Sequence, residues 1–306
     1  MTIQDVQLEQ VLAQVPELAG VTRTVTPIEG GMTNRNYRVQ TEHGDYVVRI
    51  GVRDRGQLGI DRGNEYQSSL LAWRAGVGVG VVARVLRPEA LVVEYVDGRT
   101  LEPVDFDDER RISTLAALLR QLHACEPFHL DFDMAQVQRR YHEIVSEHSY
   151  PLPEDYGAYE ERARRMGHVL ASTRTRTAPC HNDLMPGNFI ESDGPGSHIW
   201  LIDYEYSGNN DPCYDLGDAI NELELDAARA EQLVTEYHGA PNPRELARAR
   251  LWSLMSKYGW ILWGSIRIGT TGDPEIREWA RALWARAIAE FDSPDFGELL
   301  DRARNV

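Results

Sequence analysis

The hydrophobic pattern of this 306-residue chain changes period once, near residue 99, and that change limits the folds open to it. Before it, apolar, β-branched and aromatic residues come in strand-length runs at 21–28, 36–40, 46–50, 79–86 and 91–96. Turn residues punctuate them: Gly30-Gly31, then Glu42-His43-Gly44-Asp45, then Asp97-Gly98. One helical pattern, about 62–75, lies among these runs and stops at Gly76. Beyond residue 99, helix-length patterns take over at about 108–124, 156–171, 243–268 and 274–291, interrupted by one strand-rich patch at 188–202. A small antiparallel sheet with a helix, then a larger helical body, is an α+β plan. It predicts domains at 1–96 and 97–306.

Charge and cysteine usage narrow the function classes. The formal net charge is −16, which repels nucleic acid and anionic membrane and favours a cationic partner. No uncharged apolar run approaches the ~18 residues of a membrane span, and no basic-then-apolar leader opens the sequence. Neither nucleic-acid binding nor membrane insertion is therefore expected. Three widely spaced cysteines, Cys125, Cys180 and Cys213, argue against a disulfide framework and for a reducing cytoplasmic location. The chain has a single lysine, Lys257, so any phosphate-binding cation elsewhere must be arginine.

The chemistry concentrates in 179–222. His181-Asn182-Asp183-Leu184-Met185-Pro186-Gly187-Asn188 gathers polar groups around a Pro-Gly turn, and 189–191 with 198–202 reads as a hairpin. A hairpin centred near residue 195 puts Asn188 opposite Ile202 or Asp203. Asn188 and Asp203 then offer hard oxygens to one cation, the donor type that Mg²⁺ requires. Asp203-Tyr204-Glu205 spaces two carboxylates at i and i+2, on one side of extended backbone, where Glu205 joins the metal set. Asp183, five residues before Asn188, is placed to accept a hydroxyl proton. A base and metal ions that neutralise phosphates are the parts that phosphoryl transfer needs.

His181-x-Asp183-x-x-x-x-Asn188 followed by Ile202-Asp203-Tyr204-Glu205-Tyr206 resembles the paired catalytic and metal motifs of the aminoglycoside phosphotransferase/choline kinase superfamily. The continuation through Asp211-Pro212 and Tyr214-Asp215-Leu216-Gly217 is closest to the choline/ethanolamine kinase branch. The resemblance implies a bilobal protein-kinase-like fold, ATP and Mg²⁺ as cofactors, and an alcohol as phosphoryl acceptor. By it, Asp183 is the base, Asn188 and Asp203 are metal ligands with Glu205 beside them, and Asp215 braces the catalytic loop.

The nucleotide and acceptor assignments follow from the same resemblance. Gly31, Thr33 and Asn34 fall in a Gly-rich turn that lets backbone amides approach phosphates. Arg49 corresponds to the strand lysine of protein kinases, with Glu65 as its helix partner, and Glu94 and Val96 offer backbone hydrogen bonds to adenine. Trp260 and Trp263 resemble the tryptophan pair of a choline-binding box, Trp279 falls near its third aromatic, and Tyr206 and Glu222 match positions lining that pocket. Aromatic faces attract a quaternary ammonium by about 2 kcal/mol when desolvated. Read from periodicity alone, a tryptophan stripe is core. The expectation is a kinase for choline or a related amino alcohol. An ethanolamine, aminoglycoside, thiamine or sugar kinase and a catalytically silent ligand-binding relative stand as alternatives. The oligomeric state is not legible.

Overall fold

The computed structural model describes residues 3–29, 34–51, 56–194 and 196–304. They form two compact units, residues 1–100 with 188–205, and residues 101–187 with 206–306. The first unit opens with helix α1 (Ile3–Leu12), then β1 (Arg23–Ile28), β2 (Asn34–Thr41), β3 (Gly44–Gly51), α2 (Arg62–Arg74), β4 (Val81–Leu86), β5 (Glu89–Glu94) and β6 (Gly98–Thr100). The second takes α3 (Glu109–Leu122), α4 (Met134–His148), α5 (Glu160–Thr173) and β7 (Ala178–Cys180). Strands β8 (Phe189–Ser192) and β9 (Ile199–Leu201) rejoin the first unit. The remainder is β10 (Gly208–Asn210), α6 (Pro212–Glu222), α7 (Ala227–His238), α8 (Pro243–Thr271), α9 (Pro274–Phe291) and α10 (Phe296–Arg304).

In the first unit, β1 to β5 form an antiparallel sheet in the order β1-β2-β3-β5-β4. Strand period two sorts its side chains onto opposite faces. Val48, Ile50, Ala90 and Val92 pack with Leu8, Val11 and Leu12 of α1, a helix that the sequence patterns did not reveal. Val47, Leu91 and Val93 belong to a second apolar cluster with Val96, Trp200 and Ile202. The division at residue 96 expected from sequence differs from these units because β8 pairs with β6, Gly98 facing Ser192 and Thr100 facing Ile190. The 188–205 segment therefore goes with the sheet and not with the helices around it in sequence.

The second unit is organised on α8. This 29-residue helix packs against α4, α5, α6, α7, α9 and α10, and most of its side chains are buried. Its closest neighbour is α6. A Cβ at Gly217 of α6 would lie 2.4 Å from Ala249 O and 2.6 Å from Ser253 N of α8, so only glycine allows this approach. No helix among the described residues is long and apolar enough to cross a membrane.

Candidate active site

Within the first unit, the charged residues gather around β3 and the β8–β9 hairpin. Arg49 alternates with Val48 and Ile50, so it leaves the sheet on the face away from α1. β3 lies between β2 and β5, and Arg49 is 9% exposed. Its guanidinium binds the Asp203 carboxylate and reaches Glu65 Oε1 at 3.4 Å. Arg62, in the first turn of α2, binds Glu65 and lies 3.1 Å from Glu205 Oε2. Asn34 Nδ2 donates to the same Glu205 oxygen at 3.3 Å. Burial works against the Arg49 charge, but Asp203, Glu65 and Glu205 together outweigh it and leave its pKa raised. Glu205 is pushed up to about 7, first by burial and then by Asp203.

The hairpin sets the remaining donors. Phe189 faces Leu201, Glu191 faces Ile199, and Ile202 N donates to Asn188 O at 2.9 Å. Asn188 therefore sits across from Ile202, with Asp203 next along the chain. Asp203 has φ +69°, a left-handed backbone that few non-glycine residues adopt and that aspartate tolerates. Glu65, Asp203 and Glu205 each present an oxygen within 4.8 Å of the others. With Glu205 ionised, two guanidiniums against three carboxylates leave this cluster one negative charge, and its oxygen donors suit a hard divalent cation.

The nucleotide-side residues are placed as follows. Glu94 N donates to Gly80 O at 2.8 Å and Tyr95 N to Asp45 O at 2.9 Å, while Val96 joins the apolar cluster under the sheet. Gly31 and Thr33 lie outside the described residues. Arg62, which touches two of the three carboxylates, was not singled out from sequence. Its partner Glu205 is 143 positions away, and only the R-x-x-E spacing to Glu65 could have hinted at a role.

Within the second unit, Asp183 follows β7 in a loop whose peptides are fixed from below by α6. His181 N donates to Asp215 Oδ2 at 2.8 Å, Asn182 N to Asp215 Oδ1 at 2.9 Å and Leu184 N to Asp218 Oδ2 at 2.7 Å. Asp215 and Asp218 are buried and three residues apart, on one face of α6. Asp183 itself is partly exposed. Asn182 takes φ +66°, which asparagine tolerates, and its Nδ2 donates to Tyr206 O at 3.0 Å. His123 Nε2 lies 3.0 Å from Asp215 Oδ2, and its Nδ1 lies 2.7 Å from Tyr237 Oη.

Four of the aromatics singled out from sequence form one connected group. Trp263 Nε1 donates to Tyr206 Oη at 3.1 Å, and the Tyr206 ring meets Trp260 edge-on at 5.0 Å. Trp279 of α9 meets Trp263 at 5.6 Å with an 81° interplanar angle. Trp252 takes no part: its Nε1 donates to Asp211 Oδ2 at 3.3 Å and its ring packs on Tyr214. Glu222 ends α6, half-buried, with its carboxyl pushed up to about 8 by burial first and the Asp218 charge second. Lys257 is buried, with Nζ 2.7 Å from Ser253 Oγ and 3.0 Å from Glu290 Oε1.

The sequence model of a known family, described as "Phosphotransferase enzyme family", matches residues 24–252. The chain belongs to that family. The match takes in both the sheet with its arginine–carboxylate cluster and the loop around Asp183. Among curated relatives of this phosphotransferase, the protein LicA of Haemophilus influenzae is 26% identical over 78% of this chain and 72% of its own. Human ethanolamine kinase 2 is 26% identical over 78% of this chain and 68% of its own. Among solved structures, a choline/ethanolamine kinase family protein from Mesorhizobium loti superposes with a TM-score of 0.84 at 28% identity, covering 99% of both chains. The protein-kinase-like α+β architecture expected from sequence is thus the one observed. The enzyme is a phosphotransferase of choline/ethanolamine kinase type, acting on an alcohol.

Proposed function

We propose that this phosphotransferase uses ATP and Mg²⁺ to phosphorylate the hydroxyl of choline or a closely related amino alcohol. The observation that carries the acceptor class is the joined aromatic group of Tyr206, Trp260, Trp263 and Trp279. Tyr206 and Trp279 are half-buried while Trp260 and Trp263 are buried, and the Trp263 ring already has the Arg267 guanidinium 6.0 Å from its centre, so an aromatic wall here has an affinity for cations. The family relatives point the same way, since one is named an ethanolamine kinase and another a choline/ethanolamine kinase family protein.

In the proposed reaction, the Asp183 carboxylate accepts the proton as the acceptor oxygen bonds to the γ-phosphorus. The bond from that phosphorus to the β-phosphate oxygen breaks, and ADP leaves. The backbone amides held by Asp215 and Asp218 keep Asp183 in one orientation. Asn188, Asp203 and Glu205 supply the oxygen donors for Mg²⁺, which when bound neutralises phosphate charge. Arg49, oriented by Glu65, adds a fixed positive charge for the phosphates, and Asn34 adds a side-chain amide. Adenine lies on the apolar face that includes Val47, Leu91 and Val93, with backbone hydrogen bonds made at the Glu94 carbonyl and at Val96, the Glu94 N–H being given to Gly80 O.

ADP release with Mg²⁺, measured against choline, ethanolamine, thiamine and an aminoglycoside, tests this reading. Choline should give the highest kcat/KM, and Asp183→Asn should abolish turnover while nucleotide binding persists. Turnover with an aminoglycoside alone would overturn the acceptor class. Near-normal activity of Asp183→Asn would remove the base.

A further inference from the structure

Asp183 is held by two carboxylates of α6, and they differ in what stands behind them. Asp215 is backed by His123 and Tyr237. Asp218 is backed by the acceptor-side helix: its Oδ2 accepts from Leu184 N at 2.7 Å, and its Oδ1 accepts from Ser256 Oγ of α8 at 2.8 Å. Both residues are fully buried, Asp218 1% and Ser256 1% exposed, so water does not compete for these bonds. Ser256, Trp260 and Trp263 stand at i, i+4 and i+7 of α8, which puts the serine on the helix face that carries the tryptophans touching Tyr206. Gly217, next to Asp218, brings α6 against α8 closely enough for so short a bridge. A second strut runs from the same loop to the same aromatics, since Asn182 Nδ2 holds the Tyr206 carbonyl.

We infer that Asp218 is a positioning residue that sets the base relative to the acceptor, by tying the peptide after Asp183 to the helix bearing Trp260 and Trp263 through Ser256. The inference rests on the reading of Asp183 as base. Two hydrogen bonds in series fix the distance between the acceptor helix and the catalytic loop. The geometry of attack is thereby defined by the same frame that holds the cation. The hydrogen-bond pattern, and not the negative charge, is what this role needs. An amide at 218 can accept from Leu184 N through its oxygen and donate to Ser256 Oγ through its nitrogen.

The test is steady-state kinetics with choline, ATP and Mg²⁺ on Asp218→Ala, Asp218→Asn and Ser256→Ala, with Asp183→Asn assayed beside them. A misplacement near 1 Å costs on the order of 10²-fold in turnover. Asp218→Ala should therefore lose roughly that in kcat, with the choline and ATP KM values changed by less than about threefold. Ser256→Ala should lose several-fold in kcat with the same split. Asp218→Asn should return to within a few-fold of wild type. An equal loss in Asp218→Asn and Asp218→Ala would overturn the inference, because charge and not geometry would then matter. If Asp218→Ala does not fold, wild-type kinetics in Ser256→Ala would overturn it. Should Asp183→Asn keep its turnover, the base reading itself falls, a result distinct from all of these.

Discussion

Arg49 does two jobs with one planar group, since its guanidinium touches Asp203 while reaching Glu65 at 3.4 Å. Both contacts are made by Nη2, at the far end of the guanidinium, one atom beyond the reach of a lysine ammonium. Arg49→Ala should raise the ATP KM and lower kcat/KM by roughly 10- to 100-fold, the range expected for loss of charge-assisted hydrogen bonds. Arg49→Lys should recover only part of this, read from ATP saturation curves. Glu222 offers a second measurement. Its carboxyl is raised to about 8, so at neutral pH it is mostly protonated, and a cationic acceptor favours the ionised form. The choline KM should fall as pH rises from about 6.5 to 8.5. Choline has no titrating amine, so the change reports on the protein. Glu222→Gln should flatten that profile, and an unchanged profile would remove Glu222 from the acceptor site.

Helix α6 owes its position to one small residue. With Ala249 O, Ser253 N and the Trp252 Cβ all within 2.7 Å of where a Gly217 Cβ would be, a methyl group must push α6 from α8. Gly217→Ala should cost about 1–3 kcal/mol of stability, measured by urea denaturation, and should lower kcat along with it. The sequence hid this because nothing local distinguishes Gly217 from any other helical glycine. Where local chemistry was sufficient, the reading held: α9 begins at Pro274 after its Asp273 cap, and α2 begins after Asp61, whose side chain accepts from Asn64 N. The hairpin register around Phe189 and Leu201 was likewise set by its turn residues. Helices α1, α4, α6, α7 and α10 were not read from sequence, although α4, α6 and α7 follow aspartate caps at Asp133, Asp211 and Asp226 just as α9 follows Asp273. At the site the limit was separation along the chain. The order of Asp183, Asn188, Asp203 and Glu205 could be read along the chain. The partners of Arg62 and Asp218 could not, because Glu205 and Ser256 lie far away in sequence.

Across the whole chain, the formal charge of −16 and buried acids act in one direction. Asp218, at about 6, and Glu222, at about 8, both hold protons in the folded state that they release in the unfolded one. Between about pH 4 and 8 the folded chain therefore binds more protons, so stability is greatest at the low end and is lost as pH rises through the folded pKa values. Self-repulsion of the acidic surface grows over the same interval. Thermal unfolding of the unliganded protein should show Tm falling from pH 5 to pH 8. Glu222→Gln should raise Tm at pH 8 by roughly 1.5 °C or more, the shift that about 1 kcal/mol produces in a chain of this size. A Tm that climbs over this range would contradict both assignments. The lone lysine has a consequence of another kind. Lys257 is 4% exposed and clamped between Ser253 and Glu290, so side-chain amine reagents find no target on the folded surface. Acylation of that one ε-amine is then a clock for opening of the α8 region, and the rate at which label accumulates measures how often the enzyme comes apart there.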